Sequence, residues 1–250
     1  MSLLEATWAW LPDPSHWAGD TGIPARVGEH LLYTLLAVGI AAAIALPAGA
    51  WVGHTGRGRV AVVAGAGALR AIPSLGLLVL FVLLAGAGLM PPIWALVVLA
   101  VPPLLAGASA GIAAVDRAVV DAARAQGMRE DQILFGVELP LALPVIFGGL
   151  RAAVLQVVAT ATIVAYINLG GLGRYIFDGL ALSDYPRMLA GSALVSVLAV
   201  AVDLALGALH RALSARHRPG EPLPRGASPA SRATLAAAAP PVAAEEEGTR

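Results

Sequence analysis

The sequence predicts an all-α protein, a polytopic transmembrane helix bundle of about five spans. Three observations carry that reading. Hydrophobic residues make up 58% of the 250 and charged residues only 13%, with a mean hydropathy of +0.78. A soluble domain of this length needs far more charge to cover its outside. The apolar residues fall in blocks close to the roughly 20 residues that cross a hydrocarbon core. The arginines gather in alternate connecting segments, as membrane topology requires.

Residues 1–28 read as an external, interfacial segment. They carry Trp8, Trp10 and Trp17 with Pro12, Pro14 and Pro24, and tryptophan rings settle at headgroup depth. The basic start, short apolar run and cleavage site of a signal peptide are not seen. The transmembrane domain is expected over 29–211. Four spans are read from about Leu31 to Val52, Ile93 to Val115, Leu143 to Ile167 and Met188 to Leu209. The stretch from Val60 to Leu89 is long for one span and short for two. Arg70 and Ile72-Pro73-Ser74 interrupt it, so it reads as a short helix, a break at Pro73 and the rest of one crossing. Six spans is the alternative. With the N-terminus outside, the cytoplasmic segments hold Arg57, Arg59, Arg117, Arg124, Arg129, Arg211, Arg216 and Arg218, the external ones only Arg26, Arg174 and Arg187. The C-terminus is then cytoplasmic. Residues 212–250 are dominated by Pro, Ala, Ser and Glu and read as a disordered cytoplasmic tail.

Composition also excludes chemistry. A net charge of +0 argues against nucleic acid as a partner. With no cysteine, thiol catalysis, thiolate metal sites and disulfides are out. With no lysine there is neither a phosphate-binding loop of the G-x-x-x-x-G-K-[ST] type nor a lysine Schiff base. If ATP drives this protein, another chain binds it.

The most informative stretch is the loop from Asp116 to Pro144, DRAVVDAARAQGMREDQILFGVELPLALP. Val119, Val120, Ala123, Gly127, Ile133 and Leu134 are spaced as on short amphipathic helices. Gly127 can supply the turn between two of them, and Pro140 is expected to stop the helical run. The result is a compact knob on the inner face with one apolar side and several charges. An ordinary amphipathic loop lying on the membrane has the same pattern.

The loop resembles the "EAA" motif of binding-protein-dependent ABC importer permeases: E-A-A, three residues, G, nine residues, I-x-L-P. Here Asp121-Ala122-Ala123, Gly127 and Val137-Glu138-Leu139-Pro140 keep every spacing, with Asp for Glu and Val for Ile. The resemblance covers roughly Glu29 to Arg211. Ala71-Ile72-Pro73-Ser74-Leu75, the run from Val137 to Pro144 and Gly170-Gly171-Leu172-Gly173 resemble the osmoprotectant branch, permeases for glycine betaine, choline and carnitine. It implies the permease fold of the methionine/maltose type, with Asp121, Ala122, Ala123, Gly127, Leu139 and Pro140 coupling to an ATPase subunit. It implies further partners: an extracytoplasmic substrate-binding protein, a second permease copy or homologue, and the lipid of a bacterial inner membrane. No cofactor is expected in this chain, ATP and magnesium belonging to the ATPase.

Other signals are weaker. Gly107-Ala108-Ser109-Ala110-Gly111 has the form of a hydrolase nucleophile elbow but lies inside an apolar span, where small residues for close helix packing explain it better. Arg70 and Asp203 read as the deepest charges, and a pair between them is expected. Pro47, Pro73, Pro102 and Pro103 are expected to kink or break helices. Pro73, Ser74, Thr160, Tyr166 and Asn168 are the candidate gate and pathway residues. An ion-coupled secondary transporter needs intramembrane carboxylates and repeated halves. Only Asp203 qualifies, and no repeat is seen. A membrane-embedded enzyme lacks its constellation of His, Cys, Lys or paired acids.

Overall fold

Caps and breakers divide these apolar blocks into ten helices. The computed structural model describes residues 2–167 and 169–216, with side chains to residue 212. Helix α1 (Leu3–Trp10) starts on a capping box in which Glu5 N–H donates to Ser2 Oγ (3.3 Å) and Ser2 N–H to Glu5 Oε2 (2.8 Å). Helix α2 (Ile23–Thr55) has Pro24 in its first turn and stops at Gly56, in the left-handed region with φ 69°. It starts well before the expected Leu31. Its 33 residues make it about 50 Å long at 1.5 Å per residue, more than a hydrocarbon core needs.

Helices α3 (Arg59–Arg70) and α4 (Ser74–Ala85) meet at a bend of 89°. At the break Pro73 is extended, with φ −60° and ψ 119°. Helix α5 (Met90–Ala113) follows, then short α6 (Arg117–Ala125) and α7 (Glu130–Ile133). A π-helical turn, Leu134–Glu138, leads into α8 (Leu139–Ala161), which tightens to a 3-10 turn over Thr162–Ile167. Helices α9 (Gly173–Leu182) and α10 (Tyr185–Arg216) complete the order, and no strand occurs among the described residues. Among the described residues four helices are long and apolar enough to cross a membrane, five spans if the bent α3–α4 pair counts as one.

One expectation about proline needs correction. Of the candidates for a kink or break, Pro47, Pro102 and Pro103 lie inside continuous helices, which they do not break; in a bundle, neighbouring groups re-satisfy the carbonyls that proline frees. Only Pro73 coincides with a break. Pro140 stops nothing: an apolar helical run continues from Glu130 to Ile167. The π turn, closed by Leu139 N–H to Leu134 C=O, widens the helix where proline enters it.

Helix α5 is the hub. In its most apolar stretch 61% of the residues are buried, against 11% in α10, which leaves α10 mostly to lipid or a partner. Glycines set the helix spacing. A Cβ on Gly49 would meet Ala108 Cβ at 2.6 Å, and one on Gly53 would meet Ile112 Cβ at 2.6 Å, so α2 lies against α5 at backbone distance. On the opposite side Gly107 and Gly149 face each other, a Cβ on Gly149 reaching Gly107 Cα and the Pro103 carbonyl at 2.8 Å. The G-x-S-x-G segment is therefore a packing surface: Gly107 and Gly111 meet α8, while the Ser109 backbone meets Gly49 and Gly53.

The end of the bundle where α2 begins is tied by polar contacts. Glu29 accepts from Gly171 N–H (2.7 Å), His30 Nε2 lies 2.9 Å from the Val158 carbonyl, and Tyr175 O–H donates to the Thr21 carbonyl (2.8 Å). The Gly170–Gly173 run has a packing reason, since a Cβ on Gly170 would overlap the Glu29 carboxylate and one on Gly173 the Thr162 carbonyl. Of the N-terminal tryptophans, Trp8 and Trp17 are exposed, whereas Trp10 stacks on His16 (3.8 Å) and packs edge-on against Tyr175 (5.3 Å).

The expected Arg70–Asp203 pair does not form. Asp203 accepts two 2.6 Å hydrogen bonds from Arg151 of α8, a bidentate geometry that leaves little for a second cation. Arg151 was the intramembrane charge overlooked beside Arg70 and Asp203. Of the segment 212–250 expected to be a disordered tail, residues 212–216 continue α10 as helix, and 217–250 lie outside the described residues.

Two outcomes are expected. Gly149→Ala overpacks the α5–α8 contact and costs about 1–3 kcal/mol, read as a lower melting temperature of the purified protein; Gly148→Ala, with nothing within 4 Å of its Cβ, leaves it unmoved. Arg151→Asp and Asp203→Arg each reduce assembled protein, and the double swap restores it, measured by yield and size exclusion.

Candidate functional site: the cytoplasmic coupling knob

The knob is built by α6, Gly127, α7 and the π turn. Asp116 caps α6 by accepting from Ala118 N–H at 2.9 Å. Gly127 then takes φ +83°, a conformation that strains any residue with a Cβ. This reverses the chain, so that Val120, Ala123 and Ile133 close a small core of their own against Val115, Met128 and Val137.

The six coupling residues therefore divide. Asp121, Ala122, Gly127 and Pro140 are exposed, while Ala123 is buried within the knob. Ala123 packs with Val120 and Ile133 and also borders the outward hollow. Leu139 packs against the Ala50–Ile112–Ala142 cluster at the base of the bundle. Outward, Ala118, Val119, Ala122, Ala123, Gln126, Met128 and Val137 line a largely apolar hollow of about 440 Å³, and Asp121, Arg124 and Glu130 are exposed on the same two short helices.

What anchors the knob to the spans is a relay of ion pairs absent from the sequence reading. Arg124 donates to both Glu130 oxygens, Nε to Oε1 at 2.8 Å and Nη2 to Oε2 at 3.1 Å, and lies 3.4 Å from Asp121. Glu130, bonded in this way, holds the Arg124 guanidinium above its ordinary pKa. Beyond Glu130 stands His54, in the last turn of α2, with Nε2 3.2 Å from Glu130 and Nδ1 2.5 Å from Glu138 Oε2. Glu138 is buried at 3% exposure in the π turn below α8. One histidine thus ties α6, through Arg124 and Glu130, to α2 and to α8. His54 and Glu138 are 84 residues apart. The only local signal was a carboxylate inside the motif beside a proline.

The gate and pathway candidates are only partly together. Pro73 and Ser74 form the α3–α4 break, and Ser74 and Thr160 line the same narrow cleft. The Thr160 hydroxyl donates back to the Gln156 carbonyl at 2.8 Å. Tyr166 is exposed and packs edge-on to Phe177 (5.7 Å), away from Ser74's cleft. Asn168 lies outside the described residues. Arg70, Ser74 and Gln156 share a separate cavity of about 400 Å³.

His54→Ala strands the buried Glu138 carboxylate and is expected to cost about 1–3 kcal/mol, seen as a lower melting temperature and faster amide exchange in α6. Arg129→Ala, which removes only the exposed pair with Asp131, should move the melting temperature negligibly.

Comparison with known proteins agrees with this geometry. Residues 38–216 match the family of binding-protein-dependent transport system inner membrane components. The glycine betaine/carnitine/choline transport system permease protein OpuCB of Bacillus subtilis is 32% identical over 74% of this chain and 86% of its own. The carnitine transport permease OpuCB of Listeria monocytogenes is 34% identical over 74% and 85%, and the choline permease OpuBD of Bacillus subtilis 35% over 75% and 83%. Among solved structures, an inward-facing MetNI methionine ABC transporter superposes with TM-score 0.68 at 23% identity, covering 80% of this chain and 98% of that one. The chain therefore belongs to the binding-protein-dependent transport system inner membrane components, the multi-pass, non-catalytic permease subunits that work with a separate ATPase and a substrate-binding protein.

Proposed function

We propose that this chain forms half of the translocation pathway of an ATP-driven importer for small osmoprotectants such as glycine betaine, choline or carnitine. The observation that carries it is the set of relatives named for those solutes, at 32–35% identity over about three quarters of the chain. A second permease, a copy or a homologue, supplies the other half. The arginine distribution supports an external N-terminus and a cytoplasmic C-terminus, with residues 29–211 as the permease domain, 1–28 at the outer interface and 212–250 a cytoplasmic tail. ATP and magnesium bind on the ATPase and not here.

In this reading the apolar hollow around Ala122 and Met128, with Asp121 and Arg124 exposed on the same short helix as Ala122, receives the ATPase. Leu139 and Pro140 hold the knob's far end at the root of α8. Closure of the nucleotide subunits pulls on α6, and the Arg124–Glu130–His54–Glu138 relay passes that displacement to α2 and α8. A rigid link is needed, since a floppy loop would absorb the motion. The break at Pro73 and Ser74 lies along the pathway, to which Thr160, Tyr166 and Asn168 also contribute. The low aromatic content, 5%, leaves little for a high-affinity ammonium cage, so tight recognition resides in the binding protein. Methionine transport is not implied by the structural neighbours, whose identity of 23–24% carries the fold alone.

The test is uptake of labelled glycine betaine and choline into proteoliposomes holding this chain with its ATPase and binding protein. ATP-dependent uptake is expected. Gly127→Trp, strained at φ +83°, should abolish it while the complex still assembles. Uptake of neither solute, with ATP hydrolysis stimulated by another, would overturn the substrate class and keep the family.

A further inference from the structure

Two arginines lie at membrane depth, and they are treated differently. Arg151 is neutralised by Asp203. Arg70, the last residue of α3, has no ion pair and no hydrogen bond among the described residues. An arginine in a membrane span is costly unless it meets a counter-charge or a water-filled space. Arg70 lines the cavity of about 400 Å³, with Ser74 and Gln156 as its polar companions and Leu99, Pro102 and Pro103 as an apolar wall. Leu99 to Pro103 are the middle of α5 (Met90–Ala113), so the cavity sits near half depth. The size falls in the range of small-ligand pockets. Among the described residues no carboxylate lines the space.

We propose that this cavity is a transit site for carboxylate-bearing solutes, with Arg70 receiving the carboxylate. The proposal rests on the osmoprotectant reading above and divides that group. Glycine betaine and carnitine carry a carboxylate beside the quaternary ammonium, and a guanidinium can bind it through two parallel hydrogen bonds. Choline has no carboxylate and offers Arg70 only its positive charge. Ser74, the first residue of α4, puts the positive end of that helix at the same space, which adds to the same preference. The apolar wall tolerates the methyl groups of the ammonium end. Arg70 is thus a specificity-determining residue of the pathway, acting after the binding protein has released its load.

The experiment uses the intact complex in proteoliposomes and compares wild type, Arg70→Gln and Arg70→Lys. Uptake of radiolabelled glycine betaine and of choline is measured together with binding-protein-stimulated ATP hydrolysis. Arg70→Gln is expected to lower glycine betaine uptake about tenfold more than choline uptake, and Arg70→Lys to recover at least about a third of the wild-type glycine betaine rate. If wild type carries glycine betaine alone, the comparison is with hydrolysis: uptake lost while stimulated hydrolysis persists supports the site. Equal loss for both solutes, or uptake and hydrolysis lost together, makes Arg70 structural and overturns the proposal. Wild type that carries neither solute overturns the substrate reading itself, and the wild-type measurement alone tells that failure apart.

Discussion

Hydrocarbon offers helices no hydrophobic force to drive them together, because lipid tails are as apolar as leucine. What remains is dispersion at close range, and here it is concentrated where backbone meets backbone. Gly49 and Gly53 of α2 lie on one side of α5, and Gly149 of α8 lies on Gly107 on the other. The rest of the chain is hung on that three-helix stack. Helix α4 adds Leu77 and Leu78 to its core. Helix α10 touches it lightly and relies on the Arg151–Asp203 pair and on contacts with α9, where Gly191 lies against Tyr175 and Gly179 against Met188.

The same solvent governs the polar groups. A buried charge in such a bundle has either a partner or a task, and each end of the molecule shows the first case. At one end, Glu29 and His30 of α2 bind backbone groups near the Gly170–Gly173 run. At the other, His54 gathers Glu130 and Glu138. Between these two layers α2, α5 and α8 pack backbone to backbone, and the His54 contacts fasten the knob to α2 and α8. Arg70, exposed and without such a partner among the described residues, is the exception, and the α3–α4 break beside it is where the chain gives up helical regularity.

Much of this was legible along the chain. The spans announce themselves because a membrane helix must be apolar over its whole length, a signal contained in each segment alone. The knob announced itself through the spacing of Asp121, Gly127 and Pro140, with Gly127 needed for a turn that no other residue makes cheaply. The apolar face read through Val120, Ala123 and Ile133 is the knob's own core. Pro140 misled because the rule for isolated helices ends a helix at proline, whereas here a π turn absorbs it.

By itself, the sequence determined the class, the apolar segments of membrane length, the place of the break and the glycine of the turn at 127. Each of these depends on local composition or on spacing within one segment. Which charges meet was decided only in three dimensions. Asp203 lies 52 residues from Arg151, and His54 lies 84 from Glu138; no periodicity within a helix relates such positions. The His54–Glu138 contact follows from how closely the glycines let α2, α5 and α8 approach, and the Arg151–Asp203 contact from where α10 lies on α8; both distances exist only once the helices are packed.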